Sequence, residues 1–146
     1  MNEKLRNVSI EDAEIILAWR NDEDTRKNSF SKEIISFETH MKWFSSKLED
    51  ENCFMYIMEI GPKPVGLIRI DKVSSFGEIS FMIAPDERGK GYGKRILSLA
   101  EDNLPKGIDT LIGLVENENK ASKKCFADNG FSEFKGGETI CFAKTV

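Results

Sequence analysis

The spacing of apolar positions changes several times along the chain, and each change predicts an element. Residues 5–8 read as a short strand. Ser9 is a candidate N-cap with Asp12 in the capping-box position. Ile10, Ala13, Ile16 and Leu17 then share one face of a helix running to about Asn21. Residues 22–32 are polar and aperiodic and read as a loop. Ser36 starts a second helix, striped by Phe37, Met41, Phe44 and Leu48 at steps of four, three and four. Residues 53–60 are apolar and partly aromatic, which predicts a strand. Gly61, Pro62, Lys63 and Pro64 predict a turn, since glycine and two prolines resist both helix and ladder. Residues 65–71 and 77–84 predict two further strands, the second ended by Pro85 and Asp86. A glycine-rich loop leads into a helix over 95–104, with Ile96, Leu97 and Ala100 inward. Pro105, Lys106 and Gly107 break it. A strand over 108–115 and a helix over 119–128 follow, with Gly130 as a C′ glycine. Residues 131–134 and 139–144 predict a closing strand pair turned at Gly136 and Gly137.

The order is β-α-α-β-β-β-α-β-α-β-β. A three-strand meander followed by β-α-β-α-β is a mixed-sheet α/β (α+β) plan, not an alternating Rossmann array. No repeat, low-complexity segment or linker divides residues 1–146, so one domain is expected. The net charge of −4 argues against nucleic acid as a partner. No run approaches transmembrane length and no secretory leader pattern opens the chain, which predicts a cytoplasmic protein without a membrane partner. Three scattered cysteines fit a reduced compartment better than a disulfide framework. One histidine and no paired cysteines leave no metal-ligand spacing.

The strongest chemical signal is Arg88-Gly89-Lys90-Gly91-Tyr92-Gly93-Lys94, between a predicted strand and a predicted helix. Three alternating glycines let backbone approach a ligand closely. Their N–H groups and the first turn of the helix can face an anion. The loop lacks the Gly-Lys-Ser/Thr of a Walker site and does not open a βαβ unit as a dinucleotide fingerprint would.

These residues resemble the GNAT superfamily of N-acetyltransferases. Arg88-x-x-Gly91-x-Gly93 matches its Gln/Arg-x-x-Gly-x-Gly/Ala signature, with Pro85 just before. Asn119-x-x-Ser122, followed by Asn129-Gly130-Phe131, looks like its second motif. The resemblance covers nearly the whole chain. It implies the GNAT fold, with a mostly antiparallel mixed sheet of about seven strands flanked by four helices. It implies acetyl-CoA as donor and coenzyme A as product. By position, the N–H groups of Gly89, Lys90, Gly91, Tyr92, Gly93 and Lys94, beside Arg88, would hold the pyrophosphate. The backbone of Phe81, Met82 and Ile83 would pair with the pantetheine arm like an added strand, at an opening that the family typically makes with a bulge. Asn119, Ser122 and Phe126 would lie along the cofactor, although Asn119 and Ser122 equally suit a helix cap.

The expected chemistry is direct attack of a bound amine on the thioester in a ternary complex. Glu78, on the strand leading to the loop, is the candidate base; partial burial would tune it, and an exposed strand glutamate is the alternative. His40 is the second candidate base. Phe126 stands where many family members carry a proton-donating tyrosine. The acid role therefore passes to Ser122, Tyr92 or water, or to no dedicated acid, and a coenzyme A-binding module without catalysis stays open. Cys125 reads as a buried helix cysteine, a covalent acetyl-cysteine route being the minor alternative. For the acceptor, Trp19, Arg20, Asn21, Arg26, His40 and Trp43 resemble the branch holding ribosomal-protein alanine and nucleotide-linked amino-sugar acetyltransferases. A small-molecule amine on a nucleotide sugar is the leading expectation, and a protein N-terminus or lysine the rival. Both tryptophans are equally readable as core and Arg20 as an ion-pair partner. A monomer and a homodimer are both compatible with the sequence.

Overall fold

The computed structural model describes residues 2–146. Seven strands form one sheet: β1 (Glu3–Asn7), β2 (Cys53–Ile60), β3 (Lys63–Val73), β4 (Phe76–Ile83), β5 (Thr110–Glu116), β6 (Ser132–Gly136) and β7 (Thr139–Thr145). Five helices accompany it: α1 (Ala13–Asn21), α2 (Glu23–Lys27), α3 (Phe37–Glu49), α4 (Tyr92–Asp102) and α5 (Lys120–Asp128). The strand order is β1-β2-β3-β4-β5-β7-β6, and among the described residues only the β4–β5 pair is parallel. This is the expected mostly antiparallel mixed sheet with one more helix than anticipated.

The extra helix is α2, inside the polar stretch read as loop. It buries nothing, which is why no apolar period announced it; Asp22 caps it by accepting a 3.1 Å bond from the Thr25 N–H. The helix expected from Ser9 begins instead as a single 3-10 turn, Ile10–Asp12, and becomes α-helical at Ala13. Asp12 is tied down there: it accepts from the Ser9 N–H at 2.9 Å and from both Arg6 terminal nitrogens at 2.8 and 2.9 Å. β3 starts two residues earlier than expected and includes Pro64. A shift in the β2–β3 register at Met58/Glu59 lets proline sit at this strand end.

The sheet carries a core on each face. On one, Ile96, Leu97 and Ala100 of α4 and Phe126 of α5 pack over Ile68, Ile70, Ile79, Leu111 and Phe142. On the other, Ala13, Ile16 and Trp19 of α1 and Phe44 of α3 pack over Met55, Ile57 and Leu67. The α3 stripe is rotated from its sequence reading. Its buried residues are His40 and Phe44, while Phe37 and Leu48 are exposed. α3 touches the sheet through its middle turns, so the apolar residues at its two ends overhang. The α1–α3 layer covers the β1–β4 half of its face. Beyond it Phe76, Leu114 and Phe134 remain exposed.

Candidate active site

One cleft of about 970 Å³ runs from the glycine loop, through the middle of the sheet, to the N-terminal helices. Its centre follows from the parallel β4–β5 pair. β4 and β5 are in register from Phe76↔Thr110 to Ile79↔Gly113, and no pair follows, although β4 continues to Ile83 and β5 to Glu116. The backbone of residues 80–83 thus keeps its β3 ladder and has no strand partner on the β5 side. The expected opening is present, but the expected bulge is not: the β3–β4 register runs unbroken from Gly66↔Ile83 to Val73↔Phe76. Divergence of two parallel strands makes the gap. Ser80, Phe81, Met82 and Ile83 line it.

At one end stands the glycine loop. Gly89 and Gly91 have φ of +77° and +82°, where a side chain is strained, and a Cβ at either would meet nothing within 4 Å. Gly91 is the N-cap of α4, and the first helical bond there runs from the Arg95 N–H to the Gly91 carbonyl at 3.2 Å. The N–H groups of Tyr92, Gly93 and Lys94 precede that bond and face outward from the helix start. Open space above left-handed glycines, next to spare N–H donors at a helix N-terminus, fits a diphosphate. Gly93 serves packing instead. A Cβ there would stand 2.7 Å from the Cys125 sulfur, so glycine lets α4 and α5 approach. Arg88 lines the cleft while bonding Asp22 at 2.9 Å and the Thr25 hydroxyl at 2.6 Å, joining the loop to α2. Lys90 turns away to Glu87 at 2.9 Å and is not on the cleft wall.

Along the side, Asn119 and Ser122 both line the cleft, and Asn119 also caps α5, accepting from the Ser122 N–H at 3.2 Å. The helix cap and a place on the cleft wall are thus compatible in one residue. Cys125 reaches the wall, but burial pushes its thiol up, away from thiolate chemistry. Phe126, expected along the cofactor, is instead core. It stacks on Phe142 at 5.2 Å, meets Phe131 edge-on at 5.0 Å and packs its ring end against Gly113.

At the far end the wall is formed by Arg20, Trp43, Leu67, Arg69 and Ser80. Of the six acceptor candidates, Arg20 and Trp43 are therefore in the cleft, and the other four are off its wall, Trp19 and His40 buried and Asn21 and Arg26 partly exposed. Trp19 is core. Asn21 clamps the chain, exchanging 2.8 Å bonds with the Ile35 N–H and carbonyl. Arg26 donates to the Asn21 and Lys32 carbonyls. His40 is fully buried and both ring nitrogens are engaged, with Ala13 at 2.9 Å and Arg20 at 3.0 Å. Burial holds its pKa below the ordinary value, partly opposed by the bond to the Ala13 carbonyl and reinforced by the Arg20 charge. His40 is thus a strut under Arg20, not a base facing substrate. Glu78 is exposed on β4 and off the cleft wall, without the partial burial expected of it. It shares a sheet face with Ser80, two residues on. Arg69 was missed by sequence reading; a charged residue inside the apolar run of a central strand was the available signal.

Comparison with known proteins shows the family and the fold. Residues 4–132 match the model of the Acetyltransferase (GNAT) domain family. The uncharacterized N-acetyltransferase YfmK of Bacillus subtilis (strain 168) is 27% identical over 124 residues, covering 81% of this chain and 77% of that protein. A spermidine N-acetyltransferase from Vibrio cholerae, crystallised with CoA and spermine, superposes with a TM-score of 0.86 at 18% identity, covering 98% of this chain and 95% of the other. An aminoglycoside acetyltransferase crystallised with coenzyme A superposes with a TM-score of 0.86 at 14% identity, covering 99% and 95%. The chain belongs to the acetyltransferase (GNAT) domain family, and is an N-acetyltransferase with acetyl-CoA as its donor.

Proposed function

We propose that this enzyme acetylates a small primary amine, a nucleotide-linked amino sugar being the leading acceptor, in the cleft arm walled by Arg20, Trp43, Arg69 and Ser80. The observation that carries this reading is the continuity of the cleft: one channel joins the glycine loop, the β4–β5 gap and that basic, aromatic wall. Such a wall offers cations for a sugar diphosphate, whereas a cationic lysine or peptide N-terminus calls for an acidic groove.

Acetyl-CoA supplies the acetyl thioester that the acceptor amine attacks. The N–H groups of residues 89–94 hold its diphosphate, with Arg88 and Lys94 adding charge. Backbone groups of Phe81, Met82 and Ile83 that lack a β5 partner receive the pantetheine arm, and one N–H polarises the acyl oxygen. Glu78 takes the amine proton through water rather than directly. Residues two apart on a strand are separated by about 6.5 Å, which leaves room for a bridging molecule. Ser122, on the wall, is the hydroxyl nearest in role to a proton donor for the departing thiolate, a role for which Phe126 lacks the chemistry.

The test is release of free thiol from acetyl-CoA across a panel of nucleotide-linked amino sugars, simple amines and N-terminal peptides. Fastest release with a nucleotide sugar is expected, and Glu78→Gln should slow turnover with coenzyme A affinity retained. Faster release with peptides would overturn the sugar acceptor. Tight coenzyme A binding without release on any amine would overturn the acceptor arm itself.

A further inference from the structure

Arg20 is set apart from the other arginines by its partners. Arg6, Arg69, Arg88 and Arg95 each meet a carboxylate, and Arg26 donates to two carbonyls. Among the described residues Arg20 has neither. Its one hydrogen bond goes from a terminal nitrogen to His40 Nδ1 at 3.0 Å. The imidazole can accept it because its other nitrogen faces the Ala13 carbonyl at 2.9 Å, and a carbonyl only accepts. That fixes the neutral tautomer with the proton on Nε2.

The flat face of the guanidinium is also held, its carbon lying 4.3 Å from the Trp43 ring centroid. Stacking occupies the face and His40 takes one N–H. The remaining in-plane donors are left to the cleft that Arg20 lines. That is the donor edge guanidinium uses to hold carboxylate or phosphate in a bidentate fashion.

The surroundings sharpen the demand for an anion. Arg69 approaches the same ring at 5.3 Å, so two guanidinium groups share one tryptophan. Asp71 is the carboxylate of this cluster, and it is already engaged by Arg69 at 2.8 Å and Lys47 at 3.1 Å. Arg69 thus has a carboxylate and Arg20 has none, and burial together with Arg69 lowers the Arg20 pKa. The acidic residues on the cleft wall lie elsewhere. Glu87 and Asp128 are paired with lysines, Asp24 stands 3.7 Å from Arg88, and Glu33 is exposed at the rim. A half-buried cation without a counter-ion is unfavourable unless a ligand completes it.

We infer that the acceptor bears a carboxylate or phosphate group beside its amine, and that Arg20, held by Trp43 and His40, is the residue that receives it. The inference rests on the cleft arm being the acceptor site, but not on the acceptor being a sugar. It sets the enzyme against polycationic amines, which this wall repels.

Matched probes separate these ideas: alanine against alaninamide, glucosamine 6-phosphate against glucosamine, and spermine. Thiol release by the wild-type enzyme should favour the anionic member of at least one pair by about tenfold or more in kcat/KM, the scale of one charge-assisted hydrogen bond. The favoured pair tells carboxylate from phosphate. Arg20→Met keeps the stem and should erase the preference, and Arg20→Lys should restore part of it. Coenzyme A affinity and the melting temperature check that both variants are folded. Preference for neutral members or for spermine overturns the inference, as does a preference that survives Arg20→Met. Should no probe turn over, calorimetric titration of the coenzyme A-loaded protein with inorganic phosphate and with acetate decides. Binding that Arg20→Met removes keeps the anion site while the acceptor reading falls; no binding to wild type overturns the anion site as well.

Discussion

At the scale of single residues, three glycines that look alike in sequence do different work. Gly89 and Gly91 supply left-handed backbone under open space, whereas Gly93 removes a side chain that would strike Cys125. Gly91→Asp puts a strained residue and a negative charge where a diphosphate must approach backbone. It should weaken acetyl-CoA binding at least a hundredfold, on the scale of about 3 kcal/mol for a lost charge-assisted contact plus αL strain. Unchanged calorimetric affinity in a folded variant would sink the assignment of the loop. The loop was legible because glycine spacing is a local signal. Cleft residues among the acceptor candidates were legible only in part: Arg20 and Trp43 reach the cleft, while Trp19, Asn21, Arg26 and His40 serve the frame. Residue type announces chemistry, but which side of a helix faces the cleft depends on how that helix is seated.

At the scale of elements, α5 and β5 meet at a contact that decides what Phe126 can be. Its ring end lies against Gly113, closer than a Cβ there could stand, and its faces and edges are taken by Phe142, Phe131 and Phe81. Phe126→Tyr would restore a proton donor on paper. Here its hydroxyl would enter β5, unpartnered. The expected outcome is a loss of about 1–3 kcal/mol from overpacking, read as a melting temperature lower by roughly 2–10 °C, with no gain in kcat. A stable and faster Phe126→Tyr enzyme would show instead that the ring end opens to the cleft. The β4–β5 gap belongs to the same scale. Its position could be expected from the resemblance, but its cause could not. Strands 77–84 and 108–115 read as ordinary apolar runs, and only pairing shows that they part after Gly113.

At the scale of the whole molecule, stability is coupled to pH through the chain's one histidine, which holds α1 to α3 on one face of the sheet. His40 is buried, accepts from Arg20 and has a pKa below its ordinary 6.5. Below about pH 6.5 the unfolded chain takes up a proton that the folded chain refuses, so stability rises with pH through that window. The contribution is complete above about pH 6.5 and is lost as pH falls toward the folded value. The melting temperature of wild type should therefore drop between about pH 7 and about pH 5.5. His40→Gln should melt lower at neutral pH but with a flatter slope, because its side chain does not titrate there. A wild-type melting temperature unchanged over that interval would contradict a neutral, buried His40.

The sequence by itself determined the order of the strands and of the four longer helices and marked the glycine loop as a candidate anion cradle, because these rest on periodicity, turn residues and one contiguous segment; the sheet's mostly antiparallel plan came from the family resemblance. Tertiary structure alone decided which of the candidates reach the far arm of the cleft. Arg20, Trp43, Arg69 and Ser80 come from four separate elements, and their meeting depends on how α1 and α3 dock on the sheet. It also decided that His40 is a strut, that Phe126 is core and that Arg20 keeps open donors. Burial and pairing are properties of neighbours that lie far apart in the chain, and no local pattern encodes them.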